Sequence, residues 1–212
     1  MRLLSHRGLW KTKTEQNTLS AFQLSFQLGF GCELDIRDAS EQLVISHDLP
    51  TEPYLLLEEV FQSYESIARD VPIAINIKAD GLQHLLKKQI EKFSITNYFV
   101  FDMSIPDTLG YQKNQLKFFT RHSEYEPQPA FYEEAEGVWL DCFKGDWWTS
   151  SDVEKHLQNN KFVVLVSPEL HKREYYPAWE SWRTIEGEYN TDKLMLCTDF
   201  PKEAQEFFND GN

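Results

Sequence analysis

Three short segments near the start of the chain carry side chains able to do chemistry: His6-Arg7-Gly8, Glu33-Leu34-Asp35 and Ser46-His47-Asp48. Histidines titrate near neutrality, so His6 and His47 can take and give protons. Carboxylates two residues apart on a strand share a face, so Glu33 and Asp35 can hold one hard divalent cation. Asn76-Ile77-Lys78 repeats that spacing, as a solvated strand end or a wall of the site would. Arg7 and Lys78 supply fixed positive charge of the kind that binds phosphate oxygens. The combination suits attack on a phosphodiester. A cation and two basic side chains would neutralise charge growing on phosphate oxygens. His6 is assigned as general base on the attacking group and His47 as general acid on the leaving oxygen.

These residues must be brought together from different elements. Apolar runs of strand length alternate with amphipathic stretches almost to the end of the chain. Strands are expected at 3–4, 32–36, 72–78, 98–101, 116–120, 138–140, 162–166 and 194–197, with an extended piece at 43–45 leading to His47. Helices are expected at 18–28, capped by Asn17 or Thr18, and at 55–67, 82–93, 151–159, 176–185 and 201–208. Pro127 and Pro129 interrupt any element between 124 and 129. Eight strands with helices between most of them predict an α/β fold, a (β/α)8 TIM barrel, as a single domain over 1–212. About 250 residues is typical of that barrel and roughly 200 its lower end, so 212 residues require a compact version with short loops. In such a barrel the strand C-terminal ends converge on one rim. His6, Glu33, Asp35, Asn76, Lys78, Asp102, Asp141, Glu169 and Asp199 all lie at or just past such ends.

Composition narrows the field. At 41% hydrophobic and 14% aromatic residues, the chain can bury a sizeable core. A formal net charge of −13 argues against a general nucleic-acid or anionic-membrane surface. No apolar run approaches the roughly 20 residues of a membrane span, so no stable membrane insertion is expected. Cys32, Cys142 and Cys197 are widely spaced with no Cys-x-x-Cys pair, which suits reduced core thiols better than a zinc or redox site. Met1-Arg2-Leu3-Leu4 runs straight into the His-Arg-Gly segment without the apolar stretch of a signal peptide, and a cytoplasmic location is expected.

Read in order, Ser5-His6-Arg7-Gly8, Asn17-Thr18-Leu19-Ser20-Ala21-Phe22, Glu33-Leu34-Asp35 and Ser46-His47-Asp48 resemble the glycerophosphodiester phosphodiesterase family, within the broader phospholipase C-like phosphodiesterases. Looser similarity continues through Leu56-Leu57-Glu58-Glu59-Val60, Asn76-Ile77-Lys78 and Thr198-Asp199-Phe200-Pro201. The resemblance implies a phosphodiesterase barrel with a divalent cation, Mg2+ or Ca2+, and two catalytic histidines. It implies cleavage of a small phosphodiester to an alcohol and a phosphate monoester, although related barrels release a cyclic phosphate. Four departures stand out. Gln16 precedes Asn17-Thr18 where the family usually has Glu. Asn76 replaces the third metal carboxylate while Lys78 carries over. The Glu33-to-His47 spacing is short and lacks an Asp-Gly turn. The segment after His47 is also short, which leaves the site more open or built for another substrate.

Two other readings compete. A catalytically weakened barrel that only binds a phosphate compound or metabolite would follow if Gln16 and Asn76 disable the metal site. A barrel enzyme of another kind, such as a metal-dependent sugar isomerase or aldolase, gets no help from Ser46-His47-Asp48. Trp147-Trp148 and Tyr175-Tyr176 could hold a choline-like cation or a sugar, or serve only packing. His171-Lys172-Arg173 could face phosphate or be a solvated charge run.

Overall fold

The computed structural model describes residues 1–67, 70–189 and 191–209. Among them are ten strands and seven α-helices. They group into two compact units, one of residues 5–118 and one of residues 1–4 with those from 119 on. Each is taken in turn.

The first unit begins within β1 (Arg2–His6). It continues through α1 (Leu19–Gln27), β2 (Gly31–Ala39), β3 (Gln42–Ile45), β4 (Leu55–Leu56) and α2 (Leu57–Ile67). It ends with β5 (Ile73–Ile77), α3 (Gln83–Lys92), β6 (Tyr98–Phe101) and α4 (Ile105–Lys113). Strands β2, β5 and β6 are parallel neighbours, with Asp35 beside Asn76 and Asn76 beside Phe101. The long β2 outruns this parallel part and folds back on β3 as an antiparallel hairpin, pairing Ala39 with Gln42. Ser40 and Glu41 turn the hairpin, both at positive φ (49° and 63°). A two-residue turn of that hand matches the twist of the flanking strands, and here it forms without the usual glycine. The core lies between strands and helices: Cys32, Leu34 and Ile36 are fully buried, as are Phe22, Leu57 and Phe61. Phe26 of α1 meets Tyr64 of α2 edge to face at 5.2 Å between ring centres.

The second unit is an all-parallel run of β7 (Phe119–His122), β8 (Gly137–Leu140), β9 (Phe162–Val166) and β10 (Leu194–Thr198), with α5 (Ser150–Gln158), α6 (Tyr176–Tyr189) and α7 (Pro201–Asn209). Arg121, Trp139, Val164 and Met195 stand in register across it. Its core centres on Trp179, Val163, Leu165 and Leu196, none of them exposed. The indole N–H of Trp179 donates to Ser167 Oγ at 2.8 Å, so the buried ring keeps a polar partner. A Cβ on Gly137 would lie 2.6 Å from the ring of Phe119, which fills that space and stacks near Phe162.

Without the β3–β4 hairpin, eight strands remain, at the positions the periodicity predicts. The differences are local. The fifth begins at Phe119 rather than 116. Leu55 and Leu56 pair with β3 instead of opening α2, because their backbone completes the hairpin edge. Helix α4 is absent from the sequence reading because Pro106 and Gly110 lower its propensity, yet Pro106 falls in the first turn, where its missing N–H costs nothing. All three cysteines are free and buried. No helix among the described residues is long and apolar enough to cross a membrane.

A polar chain in the second unit runs from exposed Asn159 to buried His156 and on to half-buried His122. Asn159 donates to the Tyr132 hydroxyl at 3.3 Å, and that hydroxyl lies 2.8 Å from His156 Nδ1. His156 Nε2 lies 3.0 Å from His122 Nδ1. A doubly protonated His156 would require both the Tyr132 hydroxyl and His122 to accept from it. Burial, followed by the neighbouring His122, pushes His156 down to about 4. A histidine depressed in the fold contributes stability above its unfolded pKa, and that contribution is lost as pH falls toward its folded pKa. Urea unfolding should therefore show stability falling by about 2 kcal/mol between about pH 6.5 and pH 4 on account of this group. The His156→Gln variant should show a shallower fall across that window; an unchanged slope would refute the assignment.

Candidate active site

The site is assembled on the first unit. After β1 the chain turns sharply: Arg7 and Gly8 both take positive φ, 58° and 85°. A Cβ at Gly8 would lie 2.8 Å from the carbonyl carbon and the Cβ of Ala21, so only glycine lets this loop rest on α1. Leu9 N–H donates to Ala21 O at 3.0 Å and the Trp10 indole donates to His6 O at 3.0 Å, which locks the turn. Thr18 caps α1 by accepting from Ala21 N–H at 3.3 Å. Asn17, just before it, is also left-handed (φ 56°) and donates its N–H to Arg7 O at 3.0 Å.

Glu33 and Asp35 point together from β2 and are almost wholly buried, at 1% and 0% exposure. Asp35 is ringed by donors. Arg7 Nε lies 3.0 Å from Oδ2, Lys78 Nζ lies 3.5 Å from Oδ1, and Asn17 Nδ2 donates to Oδ2 at 2.8 Å. Lys78 also reaches Asp102 at 3.6 Å, itself left-handed at φ 69°. Glu33 accepts from Arg7 N–H at 3.1 Å and from Asn76 Nδ2 at 3.2 Å, and His6 Nε2 stands 3.9 Å away. Burial pushes the Glu33 carboxyl well above the ordinary range, and the charge of Asp35 pushes it further, with His6, Arg7 and Lys78 pulling back.

His47 sits elsewhere on the same unit, 44% exposed, at the end of the hairpin. Its carbonyl accepts from Arg37 Nε at 3.1 Å, and its Nδ1 lies 3.0 Å from Asp48 Oδ1. A cleft of ≈ 560 Å³ is lined by His47 together with Arg7 and Asn17, and so reaches the residues that hold Asp35. Six of the seven candidates (His6, Arg7, Glu33, Asp35, Asn76 and Lys78) thus join one contact network, and His47 faces it across the cleft. Asn17, read from sequence as a helix cap and as part of the Asn17-Thr18-Leu19 segment, proves to be a direct partner of Asp35. That segment was the signal available in the sequence.

No group of three or more His, Cys, Asp or Glu side chains placed to hold a metal occurs among the described residues. The donors that do converge are two carboxylates and an amide. Asn76 Oδ1 is buried with no hydrogen-bond partner, and Asp35 Oδ1 has no hydrogen bond but an ion pair with Lys78. An unpartnered oxygen beside a crowded carboxylate pair fits a hard cation that prefers oxygen ligands.

The strand-end residues of the second unit make their own contacts. Asp141 Oδ1 lies 2.6 Å from His171 Nε2. Glu169 accepts from Ser167, from Thr198 at 2.5 Å and from Asp199 N–H at 3.0 Å. Arg173 donates to Cys142 O at 2.8 Å, and Lys172 takes the left-handed position ending a 3-10 turn. Trp147 donates to Asp141 O at 2.6 Å and Trp148 stacks on Trp182 at 5.5 Å between ring centres. These tryptophans have packing partners of their own.

No protein-family model matches the chain, and no curated protein matches it. Solved structures do. A provisionally assigned glycerophosphodiester phosphodiesterase from Galdieria sulphuraria is similar at TM-score 0.76 and 17% identity, covering 98% of this chain and 97% of that one. A phosphodiesterase from Oleispira antarctica, in complex with the product sn-glycerol-3-phosphate, is similar at TM-score 0.66 and 12% identity, covering 99% and 97%. A Ca2+-dependent phosphatidylinositol-specific phospholipase C from Streptomyces antibioticus follows at TM-score 0.56 and 9% identity, covering 98% and 95%. The fold is that of the TIM barrel, as the sequence predicts.

The left-handed turn at Gly8 yields a direct test. Gly29 also has positive φ (77°) but nothing within 4 Å of a Cβ. Gly29→Ala should cost only the left-handed penalty, about 1 kcal/mol, whereas Gly8→Ala should cost about 2 kcal/mol more through collision with α1. Equal losses in urea unfolding would show that the Gly8 contact is not tight.

Proposed function

We propose that this protein is a metal-dependent phosphodiesterase that hydrolyses a small glycerophosphodiester to an alcohol and a phosphate monoester. The observation that carries the proposal is the buried Glu33–Asp35 pair held between Arg7 and Lys78, with His6 beside Glu33 and His47 across the adjoining cleft. The similarity to phosphodiesterase structures, one holding sn-glycerol-3-phosphate, supports it.

Glu33, Asp35 and the carbonyl oxygen of Asn76 would hold the cation, Mg2+ or Ca2+. Bound there, it supplies Lewis-acid stabilisation of charge on phosphate oxygens. Arg7 and Lys78 bind and orient the phosphate and add positive charge on the same side. His6 takes the proton of the attacking oxygen. His6 Nε2 stands 3.9 Å from Glu33 Oε2, beside the residues that would hold the cation. His47 gives a proton to the leaving alkoxide, and Asp48 holds its Nδ1 so that Nε2 is left for that transfer. One observation favours a weaker, binding-only reading: Asn76 supplies a neutral oxygen, and its amide nitrogen bonds Glu33.

The test is hydrolysis of bis(p-nitrophenyl) phosphate and of glycerophosphodiesters, with EDTA and with added Mg2+, Ca2+ or Mn2+. Metal-dependent turnover should fall about 100-fold or more in His6→Ala on every substrate. His47→Ala should lose as much on an alkyl diester and much less on p-nitrophenyl esters, whose leaving group needs no proton. No turnover with any metal, alongside retained binding of glycerol phosphate, would favour the binding-only reading.

A further inference from the structure

The cleft beside His47 has a charge pattern of its own. It is lined by Arg7, Asn17 and His47 on the side of Asp35, and by Lys13, Gln16 and Tyr54 beyond. Its only lining carboxylate is Asp48, whose side chain is 93% exposed and already engaged with His47. Glu15, next to Lys13 and Gln16, is turned onto the N–H groups of Lys11 (2.7 Å) and Thr12 (3.3 Å), capping its own 3-10 turn. Gln16 is neutral and accepts from Arg7 Nη1 at 3.4 Å. Lys13 is exposed, and its ammonium has no ion pair or hydrogen bond among the described residues. In a chain of net charge −13, this cleft therefore sets Lys13, with no carboxylate partner among the described residues, against one exposed carboxylate, Arg7 being held by Asp35.

Position gives the cleft its role. If His47 delivers the proton to the leaving oxygen, the alcohol attached to that oxygen occupies the space His47 lines. We infer that the cleft is the leaving-alcohol subsite and that Lys13 selects alcohols carrying a negatively charged group, a carboxylate or a phosphate. The inference rests on the phosphodiesterase reading. The reaction is hydrolysis: water gives a proton to His6 as its oxygen bonds to phosphorus, the phosphorus–alkoxide bond breaks, and the alkoxide takes the proton from His47. The anionic group of the alcohol stays intact and lies near Lys13. A carboxylate and a phosphate share the chemistry that Lys13 recognises, and the substrates tested can separate them.

The experiment compares kcat/KM for sn-glycerol-3-phosphate diesters of four alcohols: ethanol (neutral), choline (cationic), glycolate (carboxylate) and glycerol phosphate (phosphate). Each rate is taken relative to the ethanol ester of the same enzyme. The wild type should favour the better anionic ester about fivefold over the ethanol ester, and disfavour the choline ester. Lys13→Glu should reverse the order, and Lys13→Arg should retain it. Raising salt from about 0.02 M to about 0.3 M should shrink the preference, because the charge is exposed. Which anionic ester leads identifies the preferred group. Equal rates for all four esters in the wild type, or a preference that survives Lys13→Glu, would overturn the subsite while leaving the phosphodiesterase reading intact. Absence of turnover on every diester, bis(p-nitrophenyl) phosphate included, would overturn both.

Discussion

The first half of this molecule is organised around one buried carboxylate. Asp35 is wholly removed from water, an arrangement that costs several kcal/mol unless the charge is compensated. Compensation comes from three directions: Arg7 on the loop after β1, Asn17 at the entrance to α1, and Lys78 just past β5. Each partner is separated from Asp35 by many residues, so folding the strands and satisfying the charge are one event. Glu33, two residues earlier on the same face, adds a second buried carboxylate, whose pKa burial and then the charge of Asp35 push upward. Two like charges in so small a dry volume favour positive charge between them, whether from side chains or from a cation.

Local backbone strain accompanies this compensation. Arg7, Asn17 and Asp102 are non-glycine residues in the left-handed region, and all three belong to the charge network. Such conformations cost about 1–3 kcal/mol each and persist where surrounding contacts over-determine them. Here the surroundings are the ion pairs themselves and the close approach of Gly8 to α1.

Parts of this arrangement were legible in the chain before folding. Alternating apolar runs located eight strands, because a parallel strand buried on both faces needs continuous hydrophobic residues. Spacing alone put Glu33 and Asp35 on one face. Helix α4 was hidden, since Pro106 and Gly110 count against a helix unless the proline is known to sit in the first turn. The β3–β4 pairing was hidden too, because two leucines at the head of a helical pattern read as helix until a strand edge claims their backbone. Trp147 and Trp148 were ambiguous between binding and packing. The contacts with Asp141 O and Trp182 depend on residues that sequence distance does not relate.

The sequence by itself determined the eight parallel strands, most of the helices and the inventory of chemistry: which residues can move protons, hold a cation or carry positive charge, and on which strand ends they fall. These follow from side-chain type and from the periods of strand and helix, which are local. Tertiary structure decided the pairings. It made Asn17 a partner of Asp35, set Lys78 between two aspartates, turned Glu15 away onto its own cap, and left Lys13 facing the cleft with His47. Those outcomes depend on distances between residues far apart in the chain and on the need to compensate buried charge, and only the folded molecule settles both.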